Sequence, residues 1–280
     1  MIPRELIGLG SYSFRYAARR TDAPMDGMAF LEECSRLGLK RALLCENLNY
    51  SAADDSFIKA LAETAARNGI TVEVGMRGAS EANIQRHIHI ARMLGARLIR
   101  IVLGEISETP PDDTQRLKYD SLNAIKTLVP LLEEADLYIG IENHFDLAAA
   151  DLRDIVSQIN SKRVGLIFDS TNCLGLTEKP LDVLHMMKGH LLSVHLKDYQ
   201  CRKTDGGYIF SGVDLGDGAL DMAAVIQTAR SFNPSASFIV EYNMKPSEAM
   251  SGEELLEWER ERVLKNVSVI MGIGNSIEEA

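Results

Sequence analysis

The 280-residue chain has only four cysteines, Cys34, Cys45, Cys173 and Cys201, and no two form a C-x-x-C pair. Thiols this scattered exclude a disulfide-stapled scaffold and are expected as reduced side chains in a cytoplasmic protein. No apolar run approaches the roughly 20 residues that cross a bilayer, so no membrane partner is expected. The opening MIPRELIGLG has no basic head followed by an apolar core, and no signal peptide is expected from it. Basic residues are in the minority. Thirty Lys and Arg against 40 Asp and Glu leave a net charge of −10, which favours solubility and speaks against a nucleic-acid partner. No low-complexity linker interrupts the chain either, so residues 1–280 read as one domain near the upper size for a single core.

What the chain does have is a repeated rhythm. Short β-rich runs at 6–14, 41–47, 71–77, 97–104, 137–144, 164–170, 191–198 and 237–243 alternate with longer stretches that carry apolar residues at three- and four-residue spacing. The clearest helix patterns are 30–38, 57–69, 83–95 and 151–160. Gly38, Gly69 and Gly95 each stand just past a helix pattern, where a left-handed cap is wanted. Helix-to-strand connections are short. Strand-to-helix connections are longer, notably 14–26, 104–113 and 198–220. Eight such units in this length predict an α/β fold, a single (β/α)8 barrel whose site is built from the loops after the strands. Pro130 interrupts the helix pattern of 113–136 and predicts a kink or two helices there. The charged stretch 250–263, with Trp258, is expected as a closing helix, and the tail GNSIEEA as loosely held.

The strand ends carry the chemistry. Residues two apart on a strand share a face. YIGIENH therefore puts Glu142 with Tyr138, Gly140 and His144, while Asn143 points away. VGLIFDS puts Asp169 with Ile167, LLSVHLKD puts His195 with Ser193 and Lys197, and SFIVEYN puts Glu241 with Ile239 and Asn243. Four consecutive strands each end in a residue of metal-ligand type. Three carboxylates and an imidazole gathered in one confined place repel unless a cation neutralises them. Glu142, Asp169, His195 and Glu241 are thus the candidate metal ligands. Oxygen donors with one nitrogen suit Mn²⁺, Mg²⁺, Co²⁺ or Zn²⁺, and the lack of thiolates argues against a structural zinc site.

In order, IENH, IFDSTN, SVHLKD and FIVEYN resemble the xylose-isomerase-like barrels of the sugar-phosphate isomerase/epimerase superfamily, and the likeness covers nearly the whole chain. HLKD and the later LGDGALDM are similar to the superfamily's signature around strand seven. The resemblance implies one divalent metal ion on Glu142, Asp169, His195 and Glu241, with Glu142 and Glu241 also serving as catalytic acid and base next to a substrate carbonyl. It implies a small sugar or polyol substrate, isomerisation or epimerisation as the reaction, and a dimeric or tetrameric homo-oligomer. Inosose-type dehydration is the alternative within the same superfamily. There are departures. Many relatives carry His where Asn172 stands, and Arg202 only approximates an Arg that some epimerases place beyond the strand-seven His.

Other residues have two readings each. His144, Asn172, Lys197, Arg202, Arg77 and Arg15 are candidate substrate contacts. For His144 the alternative is a bond to a neighbouring loop, for Lys197 a pair with a ligand carboxylate, and for Arg15 and Arg77 plain surface exposure. Glu73 and Arg100 are expected to form a buried ion pair with each other. Tyr12 and Phe14 wall the pocket or pack in the core. Asp198, His87, His89, His185 and His190 read as structural. An apurinic endonuclease, which resembles a three-zinc site and needs more histidines at the strand ends, and a non-catalytic sugar-binding barrel are the weaker functional alternatives.

Overall fold

The computed structural model describes residues 2–20, 22–104, 113–242, 244–246 and 250–276. Eight parallel strands close on themselves: β1 (Ile7–Gly10), β2 (Arg41–Leu44), β3 (Thr71–Arg77), β4 (Leu98–Val102), β5 (Tyr138–Glu142), β6 (Val164–Asp169), β7 (Leu191–Leu196) and, after an antiparallel hairpin of β8 (Asp198–Thr204) and β9 (Gly207–Val213), β10 (Ser237–Val240). Neighbours in sequence are neighbours in the barrel, and β10 pairs with β7 and with β1 to close the ring. The helices α1 (Arg15–Ala18), α2 (Gly27–Arg36), α3 (Asp55–Asn68), α4 (Glu81–Leu94), α5 (Thr114–Glu134), α6 (Ala149–Ile159), α7 (Pro180–Met186), α8 (Met222–Phe232) and α9 (Gly252–Ser276) fill the connections. This is the (β/α)8 barrel that the alternating pattern predicts.

Local chemistry sets the boundaries. Asp26, Asp54, Ser80 and Asp221 each accept a bond from the backbone N–H three residues on, satisfying a donor that the first helical turn leaves open. At the other ends, Gly69 and Gly95 adopt φ of 61° and 64°, the left-handed caps expected of them. One face of α3 (Ile58, Leu61, Ala65) and one of α4 (Ile84, Ile88, Ala91) are buried in the core against the sheet. The strand exteriors complete that core, with Val72, Val74, Ile99, Ile101, Ile139 and Ile141 all buried.

The barrel interior is built differently, from glycines beside large polar groups. A Cβ at Gly10 would collide with the Glu241 carboxylate, and one at Gly140 would meet Ile167 at 2.6 Å. Glycine on one strand leaves room for an inward side chain on the next. The registers also decide which charges meet. Gly75, not Glu73, lies opposite Arg100. The expected Glu73–Arg100 pair therefore does not form: Glu73 binds Arg41 at 2.8 Å, deeper in the barrel, and Arg100 turns to the mouth.

Several segments differ from their sequence pattern. Residues 11–14 and 46–48 are 3-10 turns rather than strand, because their polar side chains bond locally or across the mouth; Ser11 Oγ donates to Asn47 Oδ1 (2.6 Å). Helix α5 runs as one element through Pro130. Proline deletes one backbone donor, and here it does so a single turn from the helix end. The long connection 198–220 contains the β8–β9 hairpin. Asp198 anchors it, accepting from the N–H groups of Tyr199, Gly216, Gly218 and Leu220 at 2.8–3.2 Å, which bears out a structural role. Helix α9 continues to Ser276, beyond the expected 250–263. Residues 105–112 of the expected long loop, Asn243, and 277–280 of the expected tail lie outside the described residues. All four cysteines are free thiols, and among the described residues no helix is long and apolar enough to cross a membrane.

Helix α9 locks the entry of the barrel through Glu259, whose carboxylate accepts from the N–H groups of Tyr16 (2.8 Å) and Ala17 (2.9 Å). Burial pushes this carboxyl up to about 7, and the two backbone donors only partly offset it. A folded value above the unfolded one means stability that is complete below the unfolded value and lost as pH rises through about 7. Wild-type protein should thus lose stability relative to Glu259→Gln between pH 5 and 8, by up to about 3 kcal/mol, as read from urea melts at the two pH values. A second expectation concerns the hairpin. Asp198→Ala strands several backbone donors and should cost about 3 kcal/mol of unfolding free energy, whereas Asp198→Asn, which keeps one acceptor, should cost less.

Candidate metal centre

Each member of the predicted quartet stands at the C-terminal end of its strand. Glu142 and Asp169 are the last residues of β5 and β6, His195 is next to last in β7, and Glu241 follows β10 directly, its N–H bonded to Leu196 O (3.0 Å). The registers pair Asp169 directly with His195 and offset Glu142 and Glu241 by two residues each, so that all four keep the same inward face. All four side chains are buried. Ligand atoms of Glu142, Asp169 and His195 lie within 4.8 Å of one another. His195 Nδ1 is 3.1 Å from Glu142 Oε2 and 3.9 Å from Glu241 Oε1, so the fourth residue closes the group.

Two cations hold this acidic group together. Arg100, buried on β4, donates through Nε to Glu142 Oε2 and reaches Glu46 Oε1 with Nη1 (3.4 Å). Lys197 Nζ lies 2.7 Å from Asp169 Oδ2 and 3.0 Å from Glu241 Oε2. The effect on each carboxyl is a contest. Burial pushes Glu142 up, but the Arg100 guanidinium and then His195 override it and hold it well below the usual carboxylate range. Burial likewise raises Glu241, and Lys197 and His195 bring it below its ordinary value. Burial disfavours the charged forms of Lys197 and His195, yet the facing carboxylates keep both above their ordinary values.

The donor set fits a divalent cation. Glu241 Oε1 and His195 Nε2 are buried without a hydrogen bond, although buried polar atoms are nearly always bonded, while Asp169 Oδ2 and His195 Nδ1 meet only the charged neighbours Lys197 and Glu142. Three carboxylate donors and one imidazole without thiolate suit a hard or borderline ion. The other carboxylate atoms are fixed. Asp169 Oδ1 accepts from the N–H groups of Thr171 and Asn172 (both 2.9 Å). Glu142 Oε1 accepts from Asn172 Nδ2 (3.0 Å). Asn172 thus orients a candidate ligand carboxylate with its amide.

The remaining candidates separate. Lys197 takes the second of its two readings and pairs with the candidate ligand carboxylates. It and Asn172 also line a cavity of about 230 Å³ beside the quartet, walled by Phe145, Tyr199 and Phe210. His144 stacks edge-on with Phe145 and places Nδ1 3.4 Å from Asp146 Oδ1. Arg15 donates to the backbone oxygens of Tyr242 (2.9 Å) and Tyr12 (3.4 Å), tying the exits of β1 and β10. Arg202 is exposed on β8 opposite Ile209. Arg77 ends β3 on the inward face it shares with Glu73 and Gly75. Phe14 packs edge-on against Phe30 in the core, whereas Tyr12 is half-buried at the mouth and donates to Glu46 Oε2 (3.4 Å). His87 and His185 bond carbonyls within their own helices, and His89 bonds Asp55.

Sequence reading missed Arg100 and Glu46 as neighbours of the quartet, and read Asn143 only as outward-facing. Asn143 clamps β5 to β6, accepting from Asp169 N (2.7 Å) and donating to Asp169 O (3.0 Å). Alternation along LIRIV puts Arg100 on the inward face and was the available signal; which acid it meets depends on register. The importance of Lys197 is open to test. With Lys197→Met, two buried carboxylates lose their ammonium, and metal-depleted protein should lose about 3–5 kcal/mol. Added Mn²⁺ should restore much of that through binding to the native state alone. Chemical melts with and without metal check it.

Comparison with known proteins places the chain. It is 28% identical over 239 residues to the 3-oxo-isoapionate decarboxylase of Pectobacterium atrosepticum, covering 84% of this chain and 85% of that protein. Among solved structures it superimposes on D-psicose 3-epimerase in the presence of D-fructose with a TM-score of 0.70 at 15% identity, covering 92% and 96% of the two chains. It matches the IOLI protein with a bound zinc atom at 0.70 and 16%, covering 94% and 98%. At such identities the structures show a shared fold. The model of the xylose isomerase-like TIM barrel family matches residues 14–265, and the chain belongs to that family.

Proposed function

We propose that the protein is a divalent-metal-dependent enzyme that acts beside the carbonyl of a small sugar or polyol derivative, with Glu142 and Glu241 as its acid and base and isomerisation or epimerisation as its outcome. The observation that carries this reading is the quartet itself: four buried ligand-type residues on neighbouring strand ends, with Glu241 Oε1 and His195 Nε2 lacking any hydrogen bond. Glu142, Asp169, His195 and Glu241 would hold the ion. When bound, it supplies Lewis acidity that lowers the pKa of a C–H next to a coordinated carbonyl.

The protein's own groups do the rest. Glu241 Oε1 has no hydrogen bond, so it has a free lone pair for the substrate proton, while Lys197 fixes its other oxygen. Glu142, across His195 from it, is held by Arg100 and Asn172 and so presents a fixed carboxylate to the opposite side of the substrate. Proton removal by one glutamate and delivery to the opposite face by the other, which draws its proton from solvent, inverts the carbon. Return to the neighbouring carbon interconverts aldose and ketose. A cavity of about 230 Å³ lined by Asn172, Lys197 and the hairpin adjoins the quartet and supports entry of a small molecule from that side.

A second reading has its own support, the decarboxylase relative at 28% identity across most of both chains. A 3-oxo acid that loses CO₂ leaves the same kind of enolate that C–H removal creates, and one glutamate then protonates it. Isomerase and lyase outcomes share the site and differ in which bond to carbon breaks.

Two measurements decide. Metal analysis of purified protein should find one divalent ion per chain, and Glu142→Gln/Glu241→Gln should lose it; stoichiometric metal surviving in the double variant would sink the quartet. In D₂O, a panel of ketoses, aldoses and 3-oxo sugar acids should include a substrate that takes up solvent deuterium at the carbon beside its carbonyl. Deuterium uptake without CO₂ supports isomerisation or epimerisation. Release of CO₂ supports the lyase, and neither with any compound removes the enzymatic reading.

A further inference from the structure

Among the described residues, the basic side chains on the inward faces of β2 and β4 and beside the quartet are neutralised by acids of the chain. Arg41 meets Glu73 at 2.8 Å, Arg100 meets Glu142 and Glu46, and Lys197 meets Asp169 and Glu241. Arg77 is the exception. Among the described residues it has no acidic partner, and its Nη1 is buried without a hydrogen bond. A guanidinium nitrogen shielded from water and left unbonded is costly. That cost disappears when an anion is received there.

The position of Arg77 says where such an anion comes from. It ends β3, and alternation puts it on the inward face with Glu73 and Gly75, at the C-terminal mouth where barrel enzymes bind their substrates. Strand β3 is two neighbours from β5, which ends in Glu142; two strand spacings are roughly 10 Å. The rim beside it is polar. The half-buried Tyr12 phenol lies in the field of both Arg77 and Arg100 and donates to Glu46.

We propose that Arg77 is an oxyanion-binding residue of the substrate site, receiving a carboxylate or phosphate at one end of a small sugar derivative whose carbonyl end lies at the quartet. This rests on the quartet being the reaction centre and adds the charge class of the substrate: a sugar acid or sugar phosphate rather than a neutral sugar. The planar guanidinium fork matches both anions, which a single ammonium does less specifically.

Titration calorimetry on metal-assayed protein with three probes tests this: L-threonate, erythritol 4-phosphate and neutral threitol. Wild type should bind at least one of the two anions about ten- to a hundredfold more tightly than threitol, the range of one charge-assisted contact. Preference for threonate identifies a carboxylate, and preference for the ester a phosphate. Arg77→Gln should abolish the gap while leaving threitol binding unchanged, and Arg77→Lys should retain part of it. Equal binding of all three probes, no binding of either anion at millimolar concentration, or a gap that survives in Arg77→Gln overturns the assignment. Melting curves of both variants exclude misfolding as the cause, and the separately measured metal content keeps failure of the quartet distinct from failure of Arg77.

Discussion

Charge balance inside a nearly closed barrel governs this molecule. Glu142, Asp169 and Glu241 converge with His195 where water has little access, and carboxylates so placed do not all stay ionised without compensation. The chain supplies Arg100 and Lys197, each set between two acids. Even so, Glu241 Oε1 and His195 Nε2 remain without a hydrogen bond. The internal cations hold the acids in their charged forms, and the unbonded donors are what a divalent ion would engage. Ammonium, guanidinium and a bound ion would be complementary ways of meeting one electrostatic demand.

The backbone accommodates that demand by giving up side chains. Gly10 leaves space for Glu241, Gly75 lies across from Arg100, and Gly140 admits Ile167. Arg41 and Glu241 have room inside the barrel because Gly8 and Gly10 beside them have no Cβ. Around them, rigidity comes from short polar clamps rather than bulk. Asn143 joins β5 to β6, Asn172 fixes Glu142, and Asp198 gathers the backbone of the loop beyond the hairpin. The two amides hold the candidate ligands in place without adding a competing base.

Much of this was legible from residue pattern. Period-two alternation located Glu142, Asp169, His195 and Glu241 on inward faces, and the helix–glycine–strand rhythm gave eight units and hence a closed ring. Gly69 and Gly95 took left-handed conformations because a helix end followed by a short connection needs one. The apolar-polar mix of 11–14 suggested strand but became a 3-10 turn, since hydroxyls at a strand end bond more readily to loops across the mouth. The β8–β9 hairpin was hidden because its alternation is exposed on both faces and reads as loop.

The sequence by itself determined the fold class and the identity of the candidate ligands, because strand and helix periods and residue chemistry are local properties of the chain. Tertiary structure alone decided the charge partners. Glu73 and Arg100 read as a pair, yet a two-residue offset in register sent one to Arg41 and the other to Glu142. The same three-dimensional sorting paired Lys197 with Asp169 and Glu241 and left Arg77 without an acid among the described residues. Register and ring closure bring together residues far apart in the chain, and only they fix which opposite charges come within a few ångströms of each other.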